Sequence, residues 1–206
     1  SNFKLARFYW KAKGKPEKTK VIARIMGYHG VTFAAMCATG ISSYWPSFEP
    51  RIPGFSHIPA PDPYHYPAPA DGSSLGIAAA NELEKEILAQ GPETVAMFIA
   101  EPVQGAGGVI VPPVGYFKKI QGVLDKYDII LWDDEVICGF GRLGSDFGAS
   151  VLDMKPKMMS LAKALSLCQR IPEHPAAHRR GRCPLVDPPG DTRRGGNKTT
   201  AASGHV

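Results

Sequence analysis

The fold is decided by the stretch Asp128-Ile129-Ile130-Leu131-Trp132-Asp133-Asp134-Glu135-Val136. Its apolar residues are consecutive rather than alternating, which is typical of a parallel strand buried on both faces of a sheet. The run ends in carboxylates, and unpaired carboxylates are costly at the end of a buried strand. Read alone, Asp134 is an ordinary exposed acid; the buried strand before it favours a carboxylate that serves a site.

A second run, residues 158–166, places Lys163 among apolar neighbours. A short strand is expected within residues 160–165, after Pro156, with Lys163 in apolar surroundings. Desolvation disfavours the ammonium form of a lysine and leaves a nucleophilic amine, suited to a Schiff base with a carbonyl compound. A lone lysine is usually a surface residue, but apolar residues on both sides favour the buried interpretation here.

The pattern outside these runs alternates strands with helices. Strands are predicted near residues 19–26 and 94–100, and helices over 2–13, 31–39, 71–90 and 116–127. The Pro-rich stretch 44–70 is expected to lack regular structure, because proline cannot donate a backbone hydrogen bond. This order predicts an α/β fold, a mostly parallel sheet flanked by helices.

Ligands of parallel sheets bind beyond the carboxyl ends of the strands. Tyr28, Glu101, Asp134 and Lys163 all follow predicted strands, so we expect them to converge on one edge of the sheet. The ring of Tyr28 could stack on a flat cofactor, although a core tyrosine at a turn is an equal alternative. Glu101 opens a glycine-rich loop that is either a simple turn or part of a site, in which Glu101 would orient the site or pair with a mobile arginine.

Composition limits the range of partners. Lys and Arg exceed Asp and Glu by 24 − 19 = +5, and residues 167–206 supply most of the excess. That tail is poor in large apolar residues and rich in Pro and Gly, which predicts disorder. The nearly neutral body argues against nucleic acid, and no apolar run reaches the length of a membrane span. Four cysteines without metal spacing favour free thiols, no metal site and a cytoplasmic location.

One motif suggests a different class of protein. Residues 139–144, Gly-Phe-Gly-Arg-Leu-Gly, match the pattern GxGxxG of dinucleotide sites. The alternative function is therefore a nucleotide-binding or interaction module that uses this loop. A dinucleotide site needs a tight turn directly after the strand and a helix directly after the glycines, and the sequence offers neither.

Several motifs together resemble the class III aminotransferases, pyridoxal phosphate enzymes of fold type I. The motif runs from Trp132 to Arg142, and Lys163 follows Asp134 by 163 − 134 = 29 positions. Tyr28-His29-Gly30 and the loop 101–108 also resemble family motifs. The form Asp-Glu-Val-Ile-Cys-Gly-Phe-Gly-Arg is similar to the ω-amino acid–pyruvate branch. The resemblance covers residues 1–166, as a partial cofactor-binding large domain.

The resemblance implies a role for each candidate residue. Lys163 would be the Schiff base lysine, and Asp134 would contact the pyridine nitrogen of pyridoxal 5′-phosphate. Val136 would pack against the ring face opposite Tyr28, and Glu101 would lie near the site. The implied reaction transfers an amino group from an ω-amino acid or amine to a keto acid such as pyruvate, in a homodimer. Asp133 stands where the family usually has a small residue.

The resemblance also implies that some binding groups lie outside these 206 residues. The family's phosphate-binding Gly-Ser segment, an interface Ser or Thr and a carboxylate-binding arginine have no counterpart here. After Ser166 the similarity stops, and we expect residues 167–206 to be a non-homologous tail, with a frameshift near Ser166 as its hypothetical origin. Activity of the chain alone is therefore expected to be impaired or lost.

Overall fold

The computed structural model describes residues 1–165, so the predicted disordered tail lies outside the described residues. Along the chain the elements are α1 Asn2–Ala12, β1 Lys20–Arg24, α2 Phe33–Ala38, a 3-10 helix Ser42–Phe48, β2 Phe55–Ile58, α3 Leu75–Gln90, β3 Val95–Ala100, α4 Tyr116–Lys126, β4 Ile130–Asp134, α5 Gly148–Val151 and β5 Met158–Ser160.

The five strands form one sheet in the order β2-β1-β3-β4-β5, and every neighbouring pair is parallel. All six residues of β3, at the centre, are buried, and so are all five of β4. Such strands contact apolar layers on both faces, which is why their sequences do not alternate. The predicted fold class, a parallel sheet flanked by helices, is confirmed.

The two faces of the sheet are covered by different helices. On one face, α3 and α4 supply Leu83, Ile87, Ile120 and Leu124 to a cluster that includes Phe98 of β3. On the other face, α1 contributes the buried Ala6 and Trp10 to a second cluster. Burial of these large side chains is the main source of stability, at roughly 25 cal/mol per Å² of apolar surface.

The helix predicted over residues 71–90 begins at Leu75 instead. Asp71 forms a local turn, because its Oδ1 accepts the backbone N–H of Ser73 at 3.0 Å. The helix ends at Gly91, whose φ of 86° is readily adopted by glycine. Near its start Gly76 lies against the preceding loop of α4: a Cβ there would stand 2.4 Å from the carbonyl oxygen of Val114. This close approach lets α3 pack against α4.

The expectation of no regular structure across residues 44–70 was wrong. This stretch contains most of the 3-10 helix and the whole of β2. β2 fits between Pro53 and Pro59 and is an edge strand, paired with β1 alone. Prolines that flank an edge strand remove no ladder hydrogen bond within it.

The strand expected within residues 160–165 was also misplaced. β5 spans Met158–Ser160 and therefore ends where the predicted strand begins. It is the other edge of the sheet, and its last paired residue, Ser160, is level with Asp134. Beyond that point Leu161 and Leu165 are 40% and 39% exposed, so their apolar character does not mark a buried strand in the described structure.

Within residues 1–165, no helix has both the length and the apolar character needed to cross a bilayer. Cys37 and Cys138 are buried free thiols.

Candidate active site

The carboxyl ends of four strands meet at one edge of the sheet, and direct contacts join them. After β1, the ring nitrogen Nδ1 of His29 lies 2.8 Å from Oδ2 of Asp134 at the end of β4. After β3, Glu101 contacts the same loop as His29. The expected convergence is confirmed for Tyr28, Glu101 and Asp134, which hydrogen-bonded contacts bring to this edge.

Asp134 is buried and firmly oriented. Its Oδ1 accepts the hydroxyl of Ser160 at 3.0 Å and the backbone N–H of Val136 at 3.3 Å. Ser160 in turn accepts the indole N–H of Trp132 at 3.0 Å. Because a carboxylate offers about four acceptor positions, Asp134 retains capacity for one further donor.

His29 holds the other oxygen of Asp134. Its side chain is 2% exposed, and its backbone N–H donates to the Thr39 hydroxyl at 3.0 Å. Among the described residues, its second ring nitrogen Nε2 is buried without a hydrogen-bond partner. A buried, unsatisfied nitrogen is costly in the structural core and is typical of a site built for function. Sequence reasoning did not assign His29 a role.

Glu101 ties two loops together. Its Oε1 accepts the backbone N–H of Tyr28 at 3.0 Å, and its Oε2 accepts that of Gly105 at 2.9 Å. The glycine-rich loop lies close to the loop after β1, since a Cβ at Gly107 would stand 2.2 Å from the carbonyl oxygen of Met26. Glu101 therefore holds the loop after β1 and the glycine-rich loop together at this edge of the sheet.

Tyr28 and Val136 follow β1 and β4 and are both half-buried. The ring of Tyr28 packs edge-on against Tyr44, with centroids 6.5 Å apart. Tyr44 lies in the 3-10 helix, so this segment borders the site. An aromatic ring and an aliphatic side chain beyond neighbouring strand ends are suited to a flat ligand.

Lys163 departs from expectation. It lies in a turn three residues beyond β5 and its side chain is exposed, so the predicted burial in an apolar strand was wrong. The reason is that β5 ends at Ser160, and the residues after it leave the edge of the sheet. Its φ of 48° is a left-handed conformation, which is unusual for a lysine and occurs preferentially at functional sites.

The loop 139–144 does not form a dinucleotide site. The following helix, α5, begins only at Gly148 and spans four residues. A dinucleotide fingerprint needs a helix that starts at the glycines and directs its amino end at the phosphates. Directly after residues 139–144, the helix that a dinucleotide site requires is therefore absent.

A parallel α/β sheet with a buried, oriented acid at the carboxyl edge defines a small-molecule site of the kind found in α/β enzymes. The family model for Aminotransferase class-III matches residues 1–171. The chain belongs to this family.

Named relatives agree with this assignment. Diaminobutyrate–2-oxoglutarate transaminase of Halomonas elongata is 44% identical over 169 residues, covering 81% of this chain and 36% of the relative. Putrescine–pyruvate aminotransferase of Pseudomonas aeruginosa is 48% identical over 165 residues, covering 79% and 36%. A thermostable ω-transaminase mutant from Pseudomonas jessenii superposes with a TM-score of 0.75 at 47% identity, covering 80% and 37%. The chain thus spans about 36% of the length of these curated relatives.

Class III aminotransferases use pyridoxal phosphate, and the residues at the edge fit the ring of this cofactor. Asp134 is a buried carboxylate with an acceptor position to spare, as a protonated pyridine nitrogen requires. Tyr28 and Val136 supply an aromatic and an aliphatic surface. These three side chains are therefore suited to a flat, cationic heterocycle.

Proposed function

We propose that this protein transfers an amino group from an ω-amino acid or amine to a keto acid such as pyruvate, using pyridoxal 5′-phosphate. The single observation that carries the proposal is the buried Asp134 carboxylate, held by His29 at 2.8 Å and by Ser160 at 3.0 Å at the carboxyl edge of the sheet. The names of the relatives support the substrate class, since they include a diamine–pyruvate aminotransferase.

Asp134 keeps a proton on the pyridine nitrogen, because a carboxylate beside that nitrogen stabilises its cationic form. Pyridoxal phosphate, when bound, supplies a carbonyl group that condenses with amines and a ring that withdraws electrons. His29 fixes the orientation of Asp134 through its Nδ1. The contact therefore fixes the position of the carboxylate that would face the ring nitrogen.

Lys163 is the residue that we assign to covalent attachment and to proton transfer. Its Nζ amine would hold the cofactor, and it would also move the proton at the amino-bearing carbon of the substrate. Tyr28 and Val136 would pack on opposite faces of the ring. Glu101 contributes by holding the loop of Tyr28.

Three finer points belong to the same proposal. The 206-residue chain alone is impaired in this reaction, because the described edge supplies the ring-binding half of the site and the relatives are far longer. The active form is a homodimer, as the family resemblance implies. The location is cytoplasmic, an expectation that rests on the free thiols.

The proposal is tested by trapping the cofactor on the protein. Pyridoxal phosphate is added to the purified chain, the visible absorption spectrum is recorded, and the adduct is reduced with borohydride. Peptide mass spectrometry then locates the modified lysine. We expect modification at Lys163, absent in Lys163→Ala and retained in Lys155→Ala, a control at another exposed lysine on the approach to β5.

Two outcomes would contradict the proposal. One is equal labelling of many surface lysines with no preference for Lys163. The other is a spectrum that does not change in Lys163→Ala. The donor class is tested separately, by adding diamines, ω-amino acids and α-amino acids to the loaded protein and measuring loss of the visible band. A response confined to α-amino acids would reject the ω-amine assignment while leaving the cofactor site intact.

A further inference from the structure

Two carboxyl groups at the end of β4 are not used by the proposed function. Asp133 and Glu135 are both 0% exposed. They are two positions apart along extended backbone, so they point to the same face of the sheet, opposite to Asp134. On that face Oε1 of Glu135 accepts the backbone N–H of Ala149 at 2.8 Å. The two acids therefore lie on the face of the sheet that α3 and α4 cover.

Too few hydrogen-bond donors surround Asp133 and Glu135 to stabilise two carboxylates. Among the described residues, neither oxygen of Asp133 has a donor, and Oε2 of Glu135 has none. Three of the four carboxyl oxygens are thus buried without a protein N–H or O–H. An ionised carboxylate in such a place is strongly disfavoured, and the usual response is to take up a proton.

The nearby positive charge is a single guanidinium. Arg24 of β1 is 1% exposed and donates through Nη2 to the carbonyl oxygen of Glu101, while its Nε and Nη1 have no partner in residues 1–165. Its guanidinium lies 5.6 Å from the ring centroid of Phe117 and 5.9 Å from that of Tyr116. One cation can balance one carboxylate, not two.

The remaining titratable groups around the pair add no positive charge. The hydroxyl of Tyr116, on α4, is buried, and burial raises its pKa. Burial also raises the pKa of the Cys138 thiol to about 11, so that group is neutral. Repulsion from Asp134 raises the pKa of Asp133 further, and repulsion from Glu101 raises that of Cys138. Among the described residues, Arg24 is the cation that lowers the pKa of Asp133.

We propose that Asp133 and Glu135 share one proton at neutral pH, forming an acid–carboxylate pair with Arg24 as its counterion, and that this proton fixes the end of β4 behind Asp134. Burial raises the pKa of Asp133 to about 9, and the nearby negative charge of Glu135 adds to the rise. Arg24 opposes it. Asp133 and Glu135 are positioning residues, and the inference does not depend on the cofactor.

The sign of the pH effect follows from proton binding. The folded protein keeps a proton on Asp133 up to about pH 9, whereas the unfolded chain releases it near pH 4. Stability from this group is therefore complete below about pH 4 and is lost as the pH rises towards 9. Over the middle of that window the folding equilibrium constant should fall by up to about tenfold per pH unit.

Two measurements on the full chain test the proposal. Infrared difference spectroscopy should show the C=O stretch of a protonated carboxyl group at pH 7, lost above about pH 9 and lost in Asp133→Asn. Urea unfolding between pH 5 and 9 should give a pH dependence that is much reduced in Asp133→Asn, because the amide mimics the neutral acid. Asp125→Asn, at an exposed position on α4, is the matched control and should change neither result.

The infrared measurement on the unmodified chain keeps the test decisive even if Asp133→Asn does not fold. Absence of a protonated carboxyl band at pH 7 would overturn the shared proton. So would a pH dependence of unfolding that is the same in Asp133→Asn as in the unmodified chain. Neither result would bear on the trapping of pyridoxal phosphate at Lys163, so failure of this inference is distinguishable from failure of the proposed function.

Discussion

The two ends of the sheet differ in how far their buried polar groups are hydrogen-bonded. At the amino end, Lys18 is 4% exposed and its ammonium is fully occupied. It donates to four backbone carbonyls and lies 4.8 Å from the centroid of an aromatic ring; these partners are Pro92, Val95, Tyr127, Asp128 and the ring of Trp10. Burial lowers the pKa of Lys18, and Asp128 opposes that fall.

At the carboxyl end, buried polar atoms in the described chain lack partners. They belong to Arg24, His29, Gln104, Asp133 and Glu135. An unsatisfied buried group reduces stability, so a concentration of them at one edge indicates groups kept for a ligand or a proton. Buried polar groups at the amino end therefore stabilise the sheet, whereas those at the carboxyl end lower its stability, as is common at functional sites.

The largest effect is expected at the amino end. Lys18→Met keeps the length of the side chain but leaves four carbonyls without their shared donor. Each buried acceptor left without a donor costs about 1 kcal/mol or more, so we expect a loss of about 4 kcal/mol for the four carbonyls, which urea unfolding would measure as a lower midpoint. Lys15→Met is the control, because its 2.6 Å ion pair with Asp128 is half-exposed, and such pairs contribute at most about 1 kcal/mol. Equal losses in the two variants would contradict the distinction.

An intermediate effect is expected at the carboxyl end, on binding rather than on stability. Asp134→Asn preserves shape and can keep the hydroxyl of Ser160 as a neighbour, but it removes the charge that we propose faces the pyridine nitrogen. Loss of one charge-assisted hydrogen bond costs about 2 kcal/mol, or about a 30-fold weaker affinity for pyridoxal phosphate in an absorbance titration. If the affinity stayed the same while the urea midpoint fell, Asp134 would be a structural residue.

The sequence alone predicted the position of those site residues that directly follow a buried strand. Asp134 and Glu101 follow buried apolar runs, and strand ends in a parallel sheet share an edge, so their convergence was predictable. His29 was missed because its partner lies 105 positions away, and no local pattern reports such a contact. β2 was missed because the prediction used the proline content of the whole stretch. A strand of four residues without proline still fits between the prolines.

Lys163 shows a further limit of sequence patterns. An apolar run predicts burial only if another element covers it, and β5 at the edge of the sheet has one neighbouring strand. The three residues of β5 pair with β4, and Lys163 lies in a turn beyond them. The chemical expectation for this lysine came first from its apolar neighbours and then from the family resemblance, so it now depends on the resemblance alone. Apolar composition gave the wrong environment.

The smallest effect is the sharpest test of the comparison, because it removes a single hydroxyl group from each end. Thr94, at the amino end of β3, donates to the carbonyl oxygens of Gln90 and Gly91, at 2.8 Å each. Ser160, at the carboxyl end, donates to Asp134 at 3.0 Å. Thr94→Val and Ser160→Ala therefore each delete a partly buried donor, at a cost of about 1 kcal/mol.

The two substitutions should differ in what they change: one the free energy of unfolding, the other the affinity for pyridoxal phosphate. Thr94→Val is expected to lower the free energy of unfolding by about 1 kcal/mol without changing affinity for pyridoxal phosphate. Ser160→Ala should weaken that affinity about fivefold, because Asp134 loses a donor that fixes its orientation, and its effect on unfolding should be the smaller of the two. The distinction between the ends fails if both variants lose stability equally and neither changes affinity. Ser160 would then support β5 alone, and His29 would be left as the side chain that orients Asp134.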